Sequence, residues 1–566
     1  MQLCCARNKR RQSASRYHGL ANVVSKRARK GFNVKYNPDQ HWSASFYSGL
    51  DSLQYKDGYD IVNVGRDDQA GFQLDTMATH KLHATLCTKG NEHITTRCDY
   101  VNQYKSTLQT TSYNFAATET TAEICAGVVK ASVLFNKNAA QHYADIQMLE
   151  EKEETKPAFT NNITKQRKPI ECARVDGSFD EGPSHLDVQF WWTKRHLETK
   201  TKMTLVTTRN SGASYRNRVE LQNGCLSLAH ANLFIPSTLN GSCVDSGGKI
   251  NQQKLCENLS SAVNVYISRV NKAPCAGTEI HLYSGAEDVT TQTTNEFVKI
   301  FLKGSAAAKR KLKQDHPKEY QEIEQVWDLR KRHMVKDLPT KYVFCLKCCY
   351  QKDCVHPACK EGTSDDNILW YPGGPPITFI PLPVPDPDRC YGSKSCKECP
   401  DSCTGHYMKI DKLIDSYRKG GKGQSKPPSE VILKELVKSK YVMTDAKSKE
   451  LSEKVLLPDD EVKMWCEHLK KVHENRKKGA QTRKNKNKAK SKPKSTTPKS
   501  KPKNKESCED LEKCCTCGEE EPDEPTDENV NWICCDCCSS WHHMTCVGAT
   551  QNDASDYWIC SVCDYN

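Results

Sequence analysis

The sequence predicts a multidomain α+β chain, with an α/β domain in the N-terminal half followed by small Cys/His-rich and helical units. Three observations carry that expectation. Strand-like and helix-like patterns alternate between Tyr59 and Asn223. Cysteines gather in Cys-x-x-Cys pairs beside histidines at 345–406 and again at 514–563. Lys484–Lys505 mixes lysine with Asn, Ser, Thr and Pro and has no apolar face.

At 566 residues several domains are expected. The chain is basic, with a formal net charge of +13, and holds 31 cysteines. No run approaches the ~20 apolar residues that span a bilayer. No apolar stretch follows the basic start Met1–Arg11, so neither a membrane partner nor a signal peptide is expected. Pairing of cysteine with histidine points to zinc in a reducing compartment rather than to a secreted disulfide framework. The lysine tract places the expectation in the nucleus, and no small-molecule substrate is evident.

In order, residues 1–55 read as a basic leader and 56–305 as the α/β domain. Tyr59–Gly65 is a buried strand ending on Arg66-Asp67-Asp68, with Phe72–Leu74 as its hairpin partner. Glu150–Lys168 is charged and reads as an exposed connection. Cys172–Val175 is a strand running into Asp176, Leu186–Leu197 has helical period, and Met203–Thr208 is a strand. A glycine turn then leads to a helix carrying Asn217 and Glu220.

That succession, strand with Asp67 or Asp68, strand with Asp176, helix, strand, helix with Glu220, resembles the ribonuclease-H-like core of DDE transposases and integrases. The resemblance implies two aspartates on adjacent strands and a glutamate on a following helix. It further implies Mg²⁺-dependent DNA strand transfer, since converging carboxylates hold hard cations that activate a water or 3′-hydroxyl. Asp176 as a turn residue and Glu220 as an exposed helix acid would instead make the unit a non-catalytic DNA- or chromatin-binding adaptor.

Residues 306–340 read as a charged helical connection, and 341–410 as a zinc-binding region. Its candidate ligands are Cys345, Cys348, Cys354, His356, Cys359, Cys390, Cys396, Cys399, Cys403 and His406, enough for one or two ions, with the pairing open. Residues 428–479 form a helical unit of three helices, Glu430–Ser439, Lys447–Val455 and Asp459–Arg476. The last is similar to a homeodomain recognition helix, although a plain helical hairpin explains it too. Residues 480–507 form a disordered tether suited to phosphate contact.

At the C-terminus, 511–566, eight ligand-type residues fall in pairs: Cys514 and Cys517, Cys535 and Cys538, His543 and Cys546, Cys560 and Cys563. With histidine fifth and Trp558 two residues before the seventh ligand, the stretch resembles a PHD finger. A RING finger would carry its histidine one place earlier and lack Trp558. The resemblance implies a cross-brace, with Cys514, Cys517, His543 and Cys546 on one zinc and Cys535, Cys538, Cys560 and Cys563 on the other. Cys534-x-x-Cys537 offers a second register; the one chosen puts Asp536 after the third ligand, as in that family. PHD fingers commonly read the N-terminal tail of histone H3. Trp532 and Trp541 stand where the walls of a methyl-lysine cage occur, and Asp536 with the acidic run before it would meet the tail's basic charge.

Overall fold

The computed structural model describes residues 37–55, 61–69, 71–75, 107–118, 121–213, 216–244, 247, 249–361, 369–370, 376–377, 380–388, 403–419, 425–490, 532–534 and 541–543. They divide into two compact units. Leu53 to Ile380 contributes one, and the residues up to Ser52 together with those from Pro381 onward contribute the other. None of the helices among the described residues is long and apolar enough to cross a membrane.

The first helix, α1 (Gln40–Asp51), belongs to the smaller unit. The larger unit opens with β1 (Gln54–Tyr55), β2 (Ile61–Asp68), β3 (Phe72–Gln73), β4 (Thr107–Phe115) and β5 (Ile124–Ala131). Helices α2 (Ala139–Glu151) and α3 (Lys156–Phe159) lead to β6 (Ile170–Val175), α4 (Leu186–Glu198), β7 (Met203–Thr208) and α5 (Val219–Ala229). Then come α6 (Gln252–Val270), β8 (Ala273–Cys275), β9 (Thr278–Ser284), α7 (Val289–Lys303), α8 (Ala306–Asp315) and α9 (Pro317–His333). The unit closes with β10 (Val343–Lys347), α10 (Pro357–Glu361), β11 (Leu369–Trp370) and β12 (Pro376–Ile377).

The architecture is mixed α/β, built on a nine-stranded mixed sheet of order β10–β7–β6–β2–β4–β5–β9–β8, with β3 attached to β4. Strands β2, β6 and β7 are parallel, and β4 runs antiparallel to both β2 and β5. Alternation decides which side chain of β2 meets which layer. Val62 and Val64 enter a core shared with α2, α4, α7 and α9, so Arg66 and Asp68 follow them to that side. Gly65 and Asp67 face the other layer, where Val219 Cβ of α5 lies 3.5 Å from the place a Gly65 Cβ would take. There α5 and α6 pack with Leu108, Val129, Ile280 and Leu282 into a second core. The helices begin where the sequence supplies caps: the side chains of Asn138, Asn251 and Asp288 accept the backbone N–H groups of Gln141, Lys254 and Thr291. Pro317 starts α9 after α8 ends.

Several expectations are corrected. Phe72–Leu74 is no hairpin partner of β2; β3 pairs with β4, and β2 lies between β4 and β6. Glu150–Lys168 is an exposed connection only in part. Lys168 and Phe159 are buried, and Glu150 joins a closed ring in which Arg195 bonds Glu150 and Glu171 at 2.7 and 2.8 Å. Arg167 binds the same two glutamates at 2.6 and 2.9 Å. Residues 1–55 are not wholly a leader, because α1 buries Trp42, Phe46, Tyr47 and Leu50.

In the smaller unit Trp42 Nε1 donates to the Ser425 carbonyl at 2.9 Å, and Asp39 accepts the Ser429 N–H at 2.8 Å. Helix α11 (Ile410–Arg418) precedes α12 (Pro428–Lys438), α13 (Asp445–Val455) and α14 (Asp459–Lys490). Those last three close around Ile432, Leu436, Leu451, Val455, Val462 and Cys466. Helix α14 runs on through Lys490, into the stretch expected as a tether. The residues from Asp459 to Lys490 contain no proline, and the first proline comes at Pro493. Near the C-terminus β13 (Trp532–Cys534) and β14 (Trp541–His543) pair antiparallel.

Candidate functional site

Two clusters of side chains in the larger unit have the chemistry of a site. The first is acidic. In the parallel pairing of β2 with β6, Gly65 lies opposite Arg174. Two residues further along, Asp67 near the end of β2 and Asp176 just past the end of β6 follow on in register, at the carboxyl ends where ligands of open α/β sheets gather. Helix α5 caps this end with Glu220 in its first turn.

Asp67 and Glu220 respond to their acidic neighbours. Burial first, then the charges of Glu220, Asp176 and Asp68, push Asp67 up to about 8. Burial and the charge of Asp176 also raise Glu220, opposed by a hydrogen bond with Asp67. Asn223, one turn beyond Glu220, donates to Asp67 Oδ2 at 2.9 Å and fixes its rotamer. Asp67 and Glu220 are half-buried and Asp176 is exposed, so the cluster opens to solvent.

Of the two candidates for the first acid, the geometry selects Asp67. Asp68 points to the opposite layer, where it accepts from Thr111 at 2.6 Å and Gln109 at 3.1 Å and pairs with Lys137 at 3.4 Å. Burial would raise Asp68, but His142, Lys130 and Lys137 outweigh it and hold it below the usual range. Asp68, His142, Asp180 and Glu181 also lie within 4.8 Å of one another. Arg66 pairs with Glu181 at 3.1 Å and Lys137 with Asp68 at 3.4 Å, while burial and the charge of Arg66 hold His142 below the usual imidazole range, at 3.1 Å from Asp180. This neighbouring cluster is scaffolding: Glu181 Oε2 accepts the Asp176 N–H at 3.3 Å and so ties the loop after β6 to Arg66 of β2. The loop turns tightly enough that a Cβ at Gly182 would stand 2.9 Å from the Gly177 and Ser178 carbonyl oxygens.

The second cluster holds cysteine and histidine and is compatible with zinc. Cys349, Cys354 and Cys359 meet His333 with all ligand atoms within 4.8 Å, and His196, Cys348 and His356 form an adjoining group. Burial keeps His333 neutral, pushing it down to about 3. Of the ligands expected from 345–406, the structure brings Cys354 and Cys359 into one group and Cys348 and His356 into the other. Cys345 joins neither. It is buried in β10 beside Cys172, because the first half of Cys345-x-x-Cys348 is strand and alternation turns its thiol into the sheet. His333, Cys349 and His196 were missed: two lie outside the Cys-rich stretch, and Cys349 hid beside Cys348 in a doubled cysteine.

The region 341–410 is also divided, since residues from Pro381 belong to the smaller unit. There the Cys403 carbonyl accepts from His41 Nδ1 at 2.7 Å, and His406 is buried. Cys390, Cys396 and Cys399 lie outside the described residues. So do Cys514, Cys517, Cys535, Asp536, Cys538, Cys546, Cys560 and Cys563. Trp532, Trp541 and His543 fall on β13 and β14, in the register Trp532 to His543 and Cys534 to Trp541. No family model, no curated protein and no solved structure matches this chain.

Proposed function

We propose that the larger unit is a ribonuclease-H-like domain that cleaves and rejoins DNA strands using divalent cations held by Asp67, Asp176 and Glu220. The observation that carries this reading is the placement of those carboxylates at one end of the sheet: Asp67 near the end of β2, Asp176 just past the end of β6, and Glu220 in the first turn of α5, hydrogen-bonded to Asp67. The negative charges of Asp176 and Glu220 raise Asp67, and that of Asp176 raises Glu220, a repulsion that protonation of Asp67 relieves only in part. Hard carboxylate oxygens suit Mg²⁺, which usually binds through one or two carboxylates plus substrate phosphates. Once bound, such cations would activate a water or 3′-hydroxyl and stabilise the leaving oxygen.

The chain's own residues prepare this. Asp67 releases its proton as cations arrive, Asn223 keeps its carboxylate turned to Glu220, and the Arg66–Glu181 pair fixes the backbone at Asp176. The exposure of Asp176 leaves room for a polymeric substrate. The test is incubation of the full chain with end-labelled duplex DNA in Mg²⁺ or Mn²⁺. Divalent-dependent nicking or strand joining, lost in Asp176→Asn and Glu220→Gln, supports the reading. Products that persist in those variants overturn it and leave the adaptor reading.

The C-terminal stretch supports a second activity, a zinc-bound PHD finger that reads the methylated H3 tail and brings a nuclear protein to chromatin. The observation favouring it is the β13–β14 ribbon, which sets the positions of Trp532 and Trp541 on paired strands to which an extended peptide can add. Replacing Trp532 by alanine should weaken a trimethylated H3 peptide by about 0.5–2 kcal/mol, roughly 2- to 30-fold in Kd. Equal binding by the variant, measured by calorimetry, would remove the cage.

A further inference from the structure

We propose that the larger unit contains a structural zinc site whose ligands are His333, Cys349, Cys354 and Cys359. The argument begins with distances. In a tetrahedral site with sulfur about 2.3 Å and nitrogen about 2.0 Å from the ion, sulfurs stand about 3.8 Å apart and sulfur–nitrogen pairs about 3.5 Å. Here His333 Nε2 lies 3.3 Å from Cys354 Sγ and 3.4 Å from Cys359 Sγ, and Cys349 Sγ lies 4.0 Å from Cys359 Sγ. These are the edges of such a tetrahedron, and three of the four ligands are buried. Cys354 Sγ also accepts the His356 N–H at 3.5 Å.

The imidazole behind the site selects this ligand set over its neighbour. A histidine that ligates through Nε2 needs a partner for its Nδ1–H. His333 Nδ1 lies 3.0 Å from His196 Nε2, and His196 Nδ1 lies 2.9 Å from Thr204 Oγ1 and 3.0 Å from Thr201 Oγ1. With His196 donating to threonine and accepting from His333, the lone pair of His333 Nε2 turns to the three sulfurs. The same chain uses the Nε2 lone pair of His196, so His196 is a positioning residue and not a ligand. His356 donates from Nε2 to the His196 carbonyl at 3.0 Å, which leaves its Nδ1, 3.6 Å from Cys348 Sγ, to accept the thiol proton. The adjoining group is thus satisfied without an ion.

The site joins the last residue of α9 to the segment after β10 and, through His196, to the end of α4. Thr204 opens β7, whereas the acidic triad sits at the far ends of β2 and β6, so the zinc is a clamp remote from the carboxylates. A closed set of four protein ligands leaves no position for a substrate.

The test is zinc content per folded full-length chain, by mass spectrometry of metal on material verified by circular dichroism and gel filtration. Cys349→Ser and His333→Ala should each lose one zinc per chain relative to wild type and melt at lower temperature. His333→Cys, which restores a fourth ligand, should keep the metal and so separates ligation from packing. Cys348→Ser should keep it too. Wild-type zinc content in both Cys349→Ser and His333→Ala, or loss of one zinc in Cys348→Ser, would overturn the assignment.

Discussion

At the scale of single residues, the proposed metal chemistry turns on which of two adjacent aspartates faces α5. The sequence offered Asp67 and Asp68 equally, because alternation along a strand is visible in a sequence but its phase relative to the next layer is not. Gly65 now supplies that phase: the small residue marks where Val219 descends, and Asp67 shares its face. Asp67→Asn should abolish Mg²⁺ or Mn²⁺ binding at the acidic cluster, whereas Asp68→Asn should retain it while lowering stability through loss of Lys137 and Thr111. Asn223→Ala, which frees the Asp67 rotamer, should weaken metal affinity or activity roughly 10- to 100-fold, the usual cost of losing an outer-shell partner.

The raised carboxyl of Asp67 gives a signed pH dependence. Its folded value of about 8 lies above an unfolded value of about 3.9, so between these the native state binds more protons than the unfolded state. In a chelator, stability contributed by this group is full in acid and is lost as pH rises through about 8. Added Mn²⁺ competes with that proton, so its thermal shift should grow from pH 6 to pH 8. A Mn²⁺ shift that is flat with pH, or equal in Asp67→Asn, contradicts the coupling.

At the scale of elements, strands and helices with strong period were legible: the expected strand Met203–Thr208 and helix Leu186–Leu197 stand at β7 and α4. What escaped was set by tertiary pairing. Glu150 and Arg167 read as surface charge, yet with Glu171 and Arg195 they form a ring in which Arg195 and Glu171 are almost wholly buried. Removing one partner strands a buried charge, so Arg195→Ala should destabilise the unit by about 3–5 kcal/mol in urea titration. Of the proposed zinc ligands, Cys354 and Cys359 were legible, whereas His333 escaped because it closes a helix before the Cys-rich loop in sequence. Gly182→Ala should disturb the loop that carries Asp176 and lower metal affinity more than it lowers the melting temperature.

At the scale of the whole molecule, the chain joins a large α/β unit to a smaller one that contains a three-helix core and the C-terminal tryptophan-bearing ribbon. The organisation of the N-terminal half was readable because its elements alternate in chain order. The division at Pro381 was not, because α1, before the sheet in sequence, belongs with residues after it. A net charge of +13, much of it in the lysine tract, predicts DNA affinity that falls steeply with salt, largely independent of base sequence.

The most direct measurement is Mn²⁺ binding by the full chain at pH 8, followed by electron paramagnetic resonance. The account predicts saturable sites in wild type and in Asp68→Asn that disappear in Asp67→Asn and Asp176→Asn with the fold intact. Binding that survives in Asp67→Asn and Asp176→Asn, or is absent from the wild type, would contradict it.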